Sequence, residues 1–299
     1  MYKLILDDRG YHRCDPLPSQ SELDMMYVNS FYTEDKPDYI KRMEDDEAWW
    51  KVMYGDRLDI MNEVYHKSSK KLWPMVLDIG SGPGLFCRCA IEQGWYAVGI
   101  EPNNVARSYA QDKQKHFSGG VWFESSLENV KEERFWGVHI SEVLEHVIDP
   151  IGMLSEAYDR LVPGGVLCVV VPNEQNALQA RLRANKGDWV TAGCCVLPSI
   201  EEEWWFQPPQ HVNYFTFETI EKLITDAGFE IYERSAMYPM ETFLMMGLDY
   251  TKSEGIGRLC HHQRMQFDMN MEPTQRRRFY KELAAQGLGR EAVIYGIKN

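Results

Sequence analysis

The run Val76-Leu77-Asp78-Ile79-Gly80-Ser81-Gly82-Pro83-Gly84 carries the most specific chemistry in the chain: an apolar strand pattern ending on a carboxylate, then a turn dense in glycine. Backbone without Cβ atoms lets a ligand lie flat against such a turn. The departures from other glycine loops narrow the ligand. A dinucleotide fingerprint requires a third glycine where this chain has Leu85, and a P-loop requires a Lys-Ser/Thr pair that is absent. Asp78 would repel a pyrophosphate, whereas it can orient the loop or pair with a cationic ligand. A second acid closes the next apolar run, Val98-Gly99-Ile100-Glu101-Pro102. At the tip of the second strand of a doubly wound sheet a carboxylate can accept both hydroxyls of a ribose. Together the glycine turn and the two acids call for an adenosine ligand without phosphates, and S-adenosyl-L-methionine meets that description.

Such a loop needs a parallel sheet to hold it, and the pattern from Met75 onward supplies one. Short apolar runs at Met75 to Asp78, Tyr96 to Ile100, Gly120 to Phe123, Gly137 to Ser141 and Gly165 to Val171 alternate with amphipathic stretches near 85–93, 104–116 and 150–161. A further helix over 216–227 has Thr216 as N-cap and Gly228 as stop, followed by a sixth strand from Phe229 to Glu233 and a seventh from Ala292 to Lys298. The reading is an α/β fold, a Rossmann-like seven-stranded doubly wound sheet with additions. Residues 1–74 form an N-terminal helical cap, with the helices running over roughly 19–72. Residues 75–172 form the cofactor core, 173–213 a first lid insertion, 214–235 the core continued, 236–289 a second lid insertion and 290–299 the closing strand. Connections as long as the two insertions carry structure or function of their own.

Residues 75 to 171 resemble a class I S-adenosylmethionine-dependent methyltransferase. The resemblance rests on the glycine loop, on Gly99-Ile100-Glu101-Pro102, on Ser141-Glu142-Val143-Leu144-Glu145-His146-Val147 followed by Asp149-Pro150, and on Leu161-Val162-Pro163-Gly164-Gly165. Fainter similarity to small-molecule and sugar methyltransferases extends through Val171-Pro172-Asn173, Pro208-Pro209-Gln210-His211-Val212-Asn213-Tyr214-Phe215 and Ala227-Gly228-Phe229. The resemblance implies that Gly80, Gly82 and Gly84 contact the methionine part of the cofactor, Glu101 the ribose and Ser126-Leu127 the adenine, with Asp78, Ser81 and Pro102 also counted among the cofactor-binding residues. It places Ser141 and Glu142 along the cofactor at the tip of the fourth core strand. Two features depart from the pattern: Gly137 stands where an Asp is usual, and of an N-terminal zinc ribbon found in relatives only Cys14 remains, so no metal is expected.

Methyl transfer from a sulfonium is an in-line displacement, in which positioning dominates and a base assists when the acceptor is a hydroxyl or an acidic carbon. Histidine is the side chain matched to that task at neutral pH. His146 lies one helical turn beyond the fourth strand tip, as a catalytic residue or as one orienting the cofactor loop. His211 follows the stiff Pro208-Pro209 and is the candidate general base, with a structural or substrate-binding role as its alternative. His261-His262 read as surface or lid residues. The aromatic Glu201-Glu202-Glu203-Trp204-Trp205-Phe206 and the methionine-rich Met237 to Met246 would shape an acceptor pocket or pack as a lid core, so Trp204, Trp205 and Tyr214 are the candidate substrate contacts. Arg276-Arg277-Arg278 reads as a solvated face or as a contact for an anionic acceptor.

With 32 Lys+Arg against 45 Asp+Glu, the net charge of −13 argues against a nucleic-acid or anionic-membrane partner. No stretch is apolar for long enough to span a bilayer, and acids follow the first residues too soon for a signal peptide, so the expected location is cytoplasmic. The seven cysteines, Cys14, Cys87, Cys89, Cys168, Cys194, Cys195 and Cys260, contain no Cys-x-x-Cys pair and read as reduced thiols. The expected partner is a small-molecule or sugar-like acceptor, most simply methylated on oxygen. Carbon methylation of a nucleotide-linked sugar, with His211 or Tyr214 as base, and a non-catalytic cofactor-binding scaffold are the alternatives; the sequence leaves oligomeric state open.

Overall fold

In a computed structural model, residues 2–68, 73–115, 120–131, 134–174, 176–184, 190–191, 195–196 and 205–299 are described. The first segment departs from the helical expectation. Residues 3–15 form an antiparallel hairpin, β1 (Lys3–Leu6) and β2 (His12–Asp15), in register from Lys3 opposite Asp15 to Leu6 opposite His12. Helices follow over the range the sequence indicates: α1 (Gln20–Asp24), a π-helical run over Met25–Asp35, α2 (Tyr39–Asp45) and α3 (Glu47–Lys67). Ser19 starts α1 with a capping box, its side chain accepting from Glu22 N while Glu22 returns a bond to the Ser19 backbone.

The core is β3 (Met75–Ile79), α4 (Leu85–Glu92), β4 (Tyr96–Ile100), α5 (Asn104–Gln114), β5 (Val121–Glu124), β6 (Phe135–Ser141), α6 (Pro150–Arg160) and β7 (Leu161–Pro172). The first insertion contributes α7 (Ala177–Ala184) and two short strands, β8 (Val190–Thr191) and β9 (Cys195–Val196). It ends at β10 (Asn213–Tyr214), which pairs with β2 and so ties the N-terminal hairpin to the segment carrying His211. Then come α8 (Phe217–Asp226), capped by Thr216, β11 (Phe229–Ala236), α9 (Glu241–Met245), α10 (Glu254–Asn270), α11 (Pro273–Ala285) and β12 (Glu291–Lys298). The seven-stranded sheet runs β11-β12-β7-β6-β3-β4-β5. Its five core strands are parallel, and β12 lies antiparallel between β7 and β11. The order turns back on itself at β3, flanked by β4 and β6, and ligands of open α/β sheets bind outside the strand ends at such a switch point.

The helix α3 is part of the core. Its Trp49, Met53, Leu58, Ile60 and Met61 are buried, and each such side chain contributes about 1.5–3 kcal/mol by leaving water. The Met61 methyl seats over Gly137, where a Cβ would approach its Cε to 2.4 Å. The missing Asp at this strand is thus replaced by room for a helix.

The second insertion is built onto α3 as well. Trp49 donates to Asp268 (2.7 Å), and Arg276 grips Asp56 through Nε and Nη2 (2.7 and 2.8 Å). Arg276 is therefore a buried clamp, which overturns the solvated or acceptor-binding reading at that position, whereas Arg277 pairs with Asp59 at the surface in keeping with a solvated face. Cys14, Cys87, Cys89, Cys168 and Cys260 are buried free thiols. No helix among the described residues is long and apolar enough to cross a membrane.

Candidate active site

The glycine loop is a backbone device. Gly80, Gly82 and Gly84 have φ of +76°, +50° and +74°, values that L side chains rarely adopt. They serve different ends. A Cβ on Gly80 would lie 2.3 Å from Val143 Cγ2, and one on Gly82 would lie 3.2 Å from the Tyr32 hydroxyl, so both sit under close neighbours at the cavity wall. Gly84 is not among the cavity-lining residues. A Cβ there would meet Phe123 at 2.5 Å and Ala110 at 3.0 Å, so this glycine lets α4 close on the sheet rather than touching the ligand.

Asp78 is buried, and its carboxylate is already engaged: Oδ1 lies 2.7 Å from His139 Nδ1, and Cys87 Sγ donates to Oδ2. The far nitrogen of His139 meets Arg57 at 3.1 Å. A guanidinium can only donate, so His139 Nε2 accepts and Nδ1–H points at Asp78. The imidazole is neutral, as burial, which lowers its pKa, also requires, and it stacks on Phe86 at 3.7 Å. Arg57 also donates to Ser141 Oγ (3.2 Å). Asp78 therefore braces the loop from below. Arg57 and His139 were not singled out in the sequence, because they lie far from the loop along the chain.

Glu101 is buried at the tip of β4, with Oε2 accepting from Gly82 N (2.9 Å) and Oε1 from Asn103 N (2.7 Å). Burial raises its pKa to about 7 against the pull of those two N–H donors. Asn103 caps α5 through Oδ1, and its Nδ2 donates to the carbonyls of Tyr27 (3.1 Å) and Val28 (2.9 Å) in the π-helical run. The Ser81 hydroxyl is buried without a hydrogen-bond partner and lies against Gly99 of β4, where a Cβ would come within 2.7 Å of it.

Above these groups opens a cavity of about 1150 Å³, floored by Asp78 to Pro83, Ile100, Glu101 and Pro102. Its roof is the N-terminal segment: Tyr27, Phe31, Tyr32, Tyr39, Trp50 and Tyr54. At one end Ser125 and Leu127 line it, whereas Ser126 does not. At the opposite end stand Ser141, Glu142, Val143, His146, Gln210 and His211.

This far end is crowded with ionisable groups. Glu142 has φ +55°, an uncommon left-handed conformation for a non-glycine residue that concentrates at functional sites. Burial, reinforced by Glu291, lifts its pKa to about 8. Burial and the neighbouring Glu142 push Glu145 well above the carboxylate range, and neither Glu145 oxygen has a hydrogen-bond partner. His146 Nδ1 lies 2.7 Å from both the Gln210 carbonyl and the Tyr27 hydroxyl, and burial lowers its pKa to about 3. It is a neutral joint between floor and roof. His211 packs edge-on against His146 with centroids 5.0 Å apart; its Nδ1 has no hydrogen-bond partner and stands 3.4 Å from Glu174 Oε1. Glu145, His146 and His211 each bring one ligating atom to within 4.8 Å of the others, close enough for a single divalent cation, so the geometry does not enforce the expectation of no metal.

The aromatic substrate candidates are elsewhere. Tyr214 is buried, its hydroxyl donating to the His211 carbonyl and accepting from Gln207 N, and Trp205 packs against Leu182 and Leu244, joining the two insertions. Neither is among the cavity-lining residues. Trp204 lies outside the described residues. His261 does reach the outer rim, where it shares Asp46 with Arg258.

Comparison with known proteins decides what this arrangement is. The methyltransferase domain family matches residues 58–234, more than half of the chain. The chain is a member of that family. Its cofactor is S-adenosyl-L-methionine, and the cavity floor suits that ligand through the glycine cradle and the Glu101 carboxylate. The methyltransferase is similar to a ubiquinone biosynthesis O-methyltransferase of Aliivibrio fischeri, 28% identical over 143 residues, which are 43% of this chain and 60% of the relative. It is also similar to one from a Bradyrhizobium strain, 34% identical over 100 residues, 33% of this chain and 40% of the relative. The match thus spans less than two thirds of these relatives' length. In fold it is similar to a Haloferax volcanii methyltransferase solved with the Trm112 methyltransferase activator (TM-score 0.52, 15% identity, covering 91% of this chain and 96% of that one). A sarcosine dimethylglycine methyltransferase structure from Galdieria sulphuraria gives a TM-score of 0.50 at 13% identity, covering 83% and 84%.

Proposed function

We propose that this methyltransferase transfers a methyl group to an oxygen of a small-molecule or sugar-like acceptor, with His211 as the general base. The observation that carries the reading is the cavity itself, which continues from the cofactor floor to an end lined by His211, whose buried Nδ1 stands 3.4 Å from Glu174 Oε1. The cofactor supplies an electrophilic methyl on a sulfonium. The chain supplies the rest. Glu101, Ser81 and the loop amides hold and orient the cofactor, the aromatic roof excludes water, and His211 takes the proton of the acceptor hydroxyl as the new bond forms. His146, neutral and locked onto Gln210 and Tyr27, positions the turn that presents His211. The O-methyltransferase names of the sequence relatives support oxygen as the acceptor atom.

Carbon methylation of a nucleotide-linked sugar is the second reading. It loses one of its two candidate bases, because the Tyr214 hydroxyl is committed to His211 O and Gln207 N away from the cavity. An S-adenosylhomocysteine-release assay across phenolic and sugar-hydroxyl acceptors, followed by NMR of the product, distinguishes the two. The expected product is a methyl ether. A carbon-bound methyl would overturn the proposal, as would full turnover by His211→Ala.

A further inference from the structure

The two halves of the cavity are built from segments far apart in the chain, and the Asn103 side chain, with its own backbone N–H, ties them together. Asn103 is 1% exposed and uses its whole amide. Its Oδ1 accepts from Val105 N (2.9 Å) and Ala106 N (3.4 Å), which fixes the start of α5. Its Nδ2 spends its two donors on the roof, at Tyr27 O and Val28 O. Its own backbone N–H is one of the two donors on the Glu101 carboxylate; the other is Gly82 N of the loop. Loop, ribose-binding acid and roof thus form one continuous hydrogen-bonded chain, Gly82 to Glu101 to Asn103 to Tyr27 and Val28.

The roof end of this chain reaches the transfer end of the cavity. The Tyr27 whose carbonyl Asn103 holds donates its hydroxyl proton to Gln210 O (2.5 Å), and the same oxygen lies 2.7 Å from His146 Nδ1. Tyr32, one turn on in the same π-helical run, covers Gly82. The run's irregular winding is itself a feature that recurs at functional sites. Amide donors to helix carbonyls that already face intrahelical partners are there to fasten the segment, since α5 is capped by the oxygen alone.

We propose that Asn103 is a positioning residue that couples occupancy of the cofactor floor to closure of the roof. When ribose hydroxyls engage the Glu101 carboxylate, its Asn103 N–H bond is held in place, and with it the side-chain amide that pins residues 27 and 28. The acceptor end is then completed only over a bound cofactor, because the same Tyr27 reaches the turn that carries His211. The inference rests on the assignment of Glu101 to the ribose.

The test uses the full chain and S-adenosylhomocysteine as probe. Asn103→Asp and Asn103→Ser both keep an oxygen able to cap α5 and lose the amide donors. In the wild type, hydrogen exchange over residues 20–45 slows on adding S-adenosylhomocysteine. In both variants that ligand-dependent protection is lost, and the ligand dissociates about tenfold faster in stopped flow, as expected for two hydrogen bonds. A merely structural role would lower thermal stability but leave the ligand-dependent protection intact. Wild-type dissociation rate and wild-type protection in a folded Asn103→Ser protein would overturn the proposal. Failure of the separate ribose assignment reads differently: Glu101→Gln would then bind S-adenosylhomocysteine as the wild type does. Should Asn103→Asp not fold, Asn103→Ser carries the test, because it adds no charge beside the two carbonyls.

Discussion

The floor of the cavity and its roof are made in opposite ways. The floor is backbone: glycines at positive φ, N–H groups on Glu101, and an acid braced by a buried His139 and Arg57, most of it within one strand-turn-helix. The roof is side chains that cross between distant segments, Tyr27 to His146, Asn103 to Tyr27, Arg258 to Asp46. A backbone cradle suits a ligand that never changes. A side-chain roof can be altered residue by residue without disturbing the cradle, and we propose that the acceptor is selected there.

The contrast predicts that roof and far-end substitutions change turnover while floor substitutions change cofactor affinity. The largest effect belongs to His211→Ala, for which turnover should fall by on the order of 10² to 10⁴ with S-adenosylhomocysteine affinity, measured by calorimetry, unchanged. A loss of cofactor affinity of the same size would place His211 in the floor and break the division. Next, Gly80→Ala meets Val143 at 2.3 Å with φ at +76°. It should weaken S-adenosylhomocysteine at least about a hundredfold and lower unfolding stability by roughly 2–4 kcal/mol in urea titrations.

A pH experiment gives an intermediate effect. Burial lifts the Glu101 pKa to about 7, and on the proposed ribose assignment only the carboxylate form would accept from both ribose hydroxyls as well as its two N–H donors. The folded value lies above the unfolded one, so this group's contribution to stability is fully present below about pH 4.5 and declines as pH rises through 7. Ligand affinity runs the other way. S-adenosylhomocysteine should bind about tenfold more tightly at pH 8 than at pH 6, the change in carboxylate fraction about a midpoint of 7. Glu101→Gln should bind weakly and without that slope; a slope that survives the substitution assigns it to another group. The smallest effect is Tyr27→Phe, which removes one hydroxyl from the His146 and Gln210 joint. We expect a three- to fivefold loss in kcat/KM, about 1 kcal/mol, with cofactor affinity within twofold.

The same division governs what could be read from the sequence. Each core strand and helix came from local periodicity, and the Thr216 cap from its own four residues. The loop and Glu101 were legible because a backbone cradle demands contiguous glycines. The hairpin β1–β2 was missed: Lys3 to Leu6 and His12 to Asp15 are short, largely polar or exposed, and stabilised by pairing with residues 213 and 214. Arg57 and His139 carried no signal, since a buried arginine or histidine looks like any other in the sequence until its partners are found. Asn103 did carry one, as an N-cap directly before the 104–116 helix, but nothing local told that its amide would cross to the roof. Trp205 and Tyr214 were assigned to the acceptor on aromatic character alone; Trp205 is buried against Leu182 and Leu244, Tyr214 is buried with its hydroxyl on His211 O and Gln207 N, and neither lines the cavity.

The histidine under the loop offers something practical. His139 holds its Nδ1 proton against Asp78 at 2.7 Å, beneath a stacked Phe86 and 1% exposed, so that proton exchanges with solvent only when the surrounding structure opens. Its short bond to a carboxylate places the resonance downfield of the crowded amide region of a proton spectrum. The molecule thus contains its own spectroscopic reporter, located directly beneath the cofactor loop, which should shift as ligand binds and broaden as the fold loosens, with no label attached.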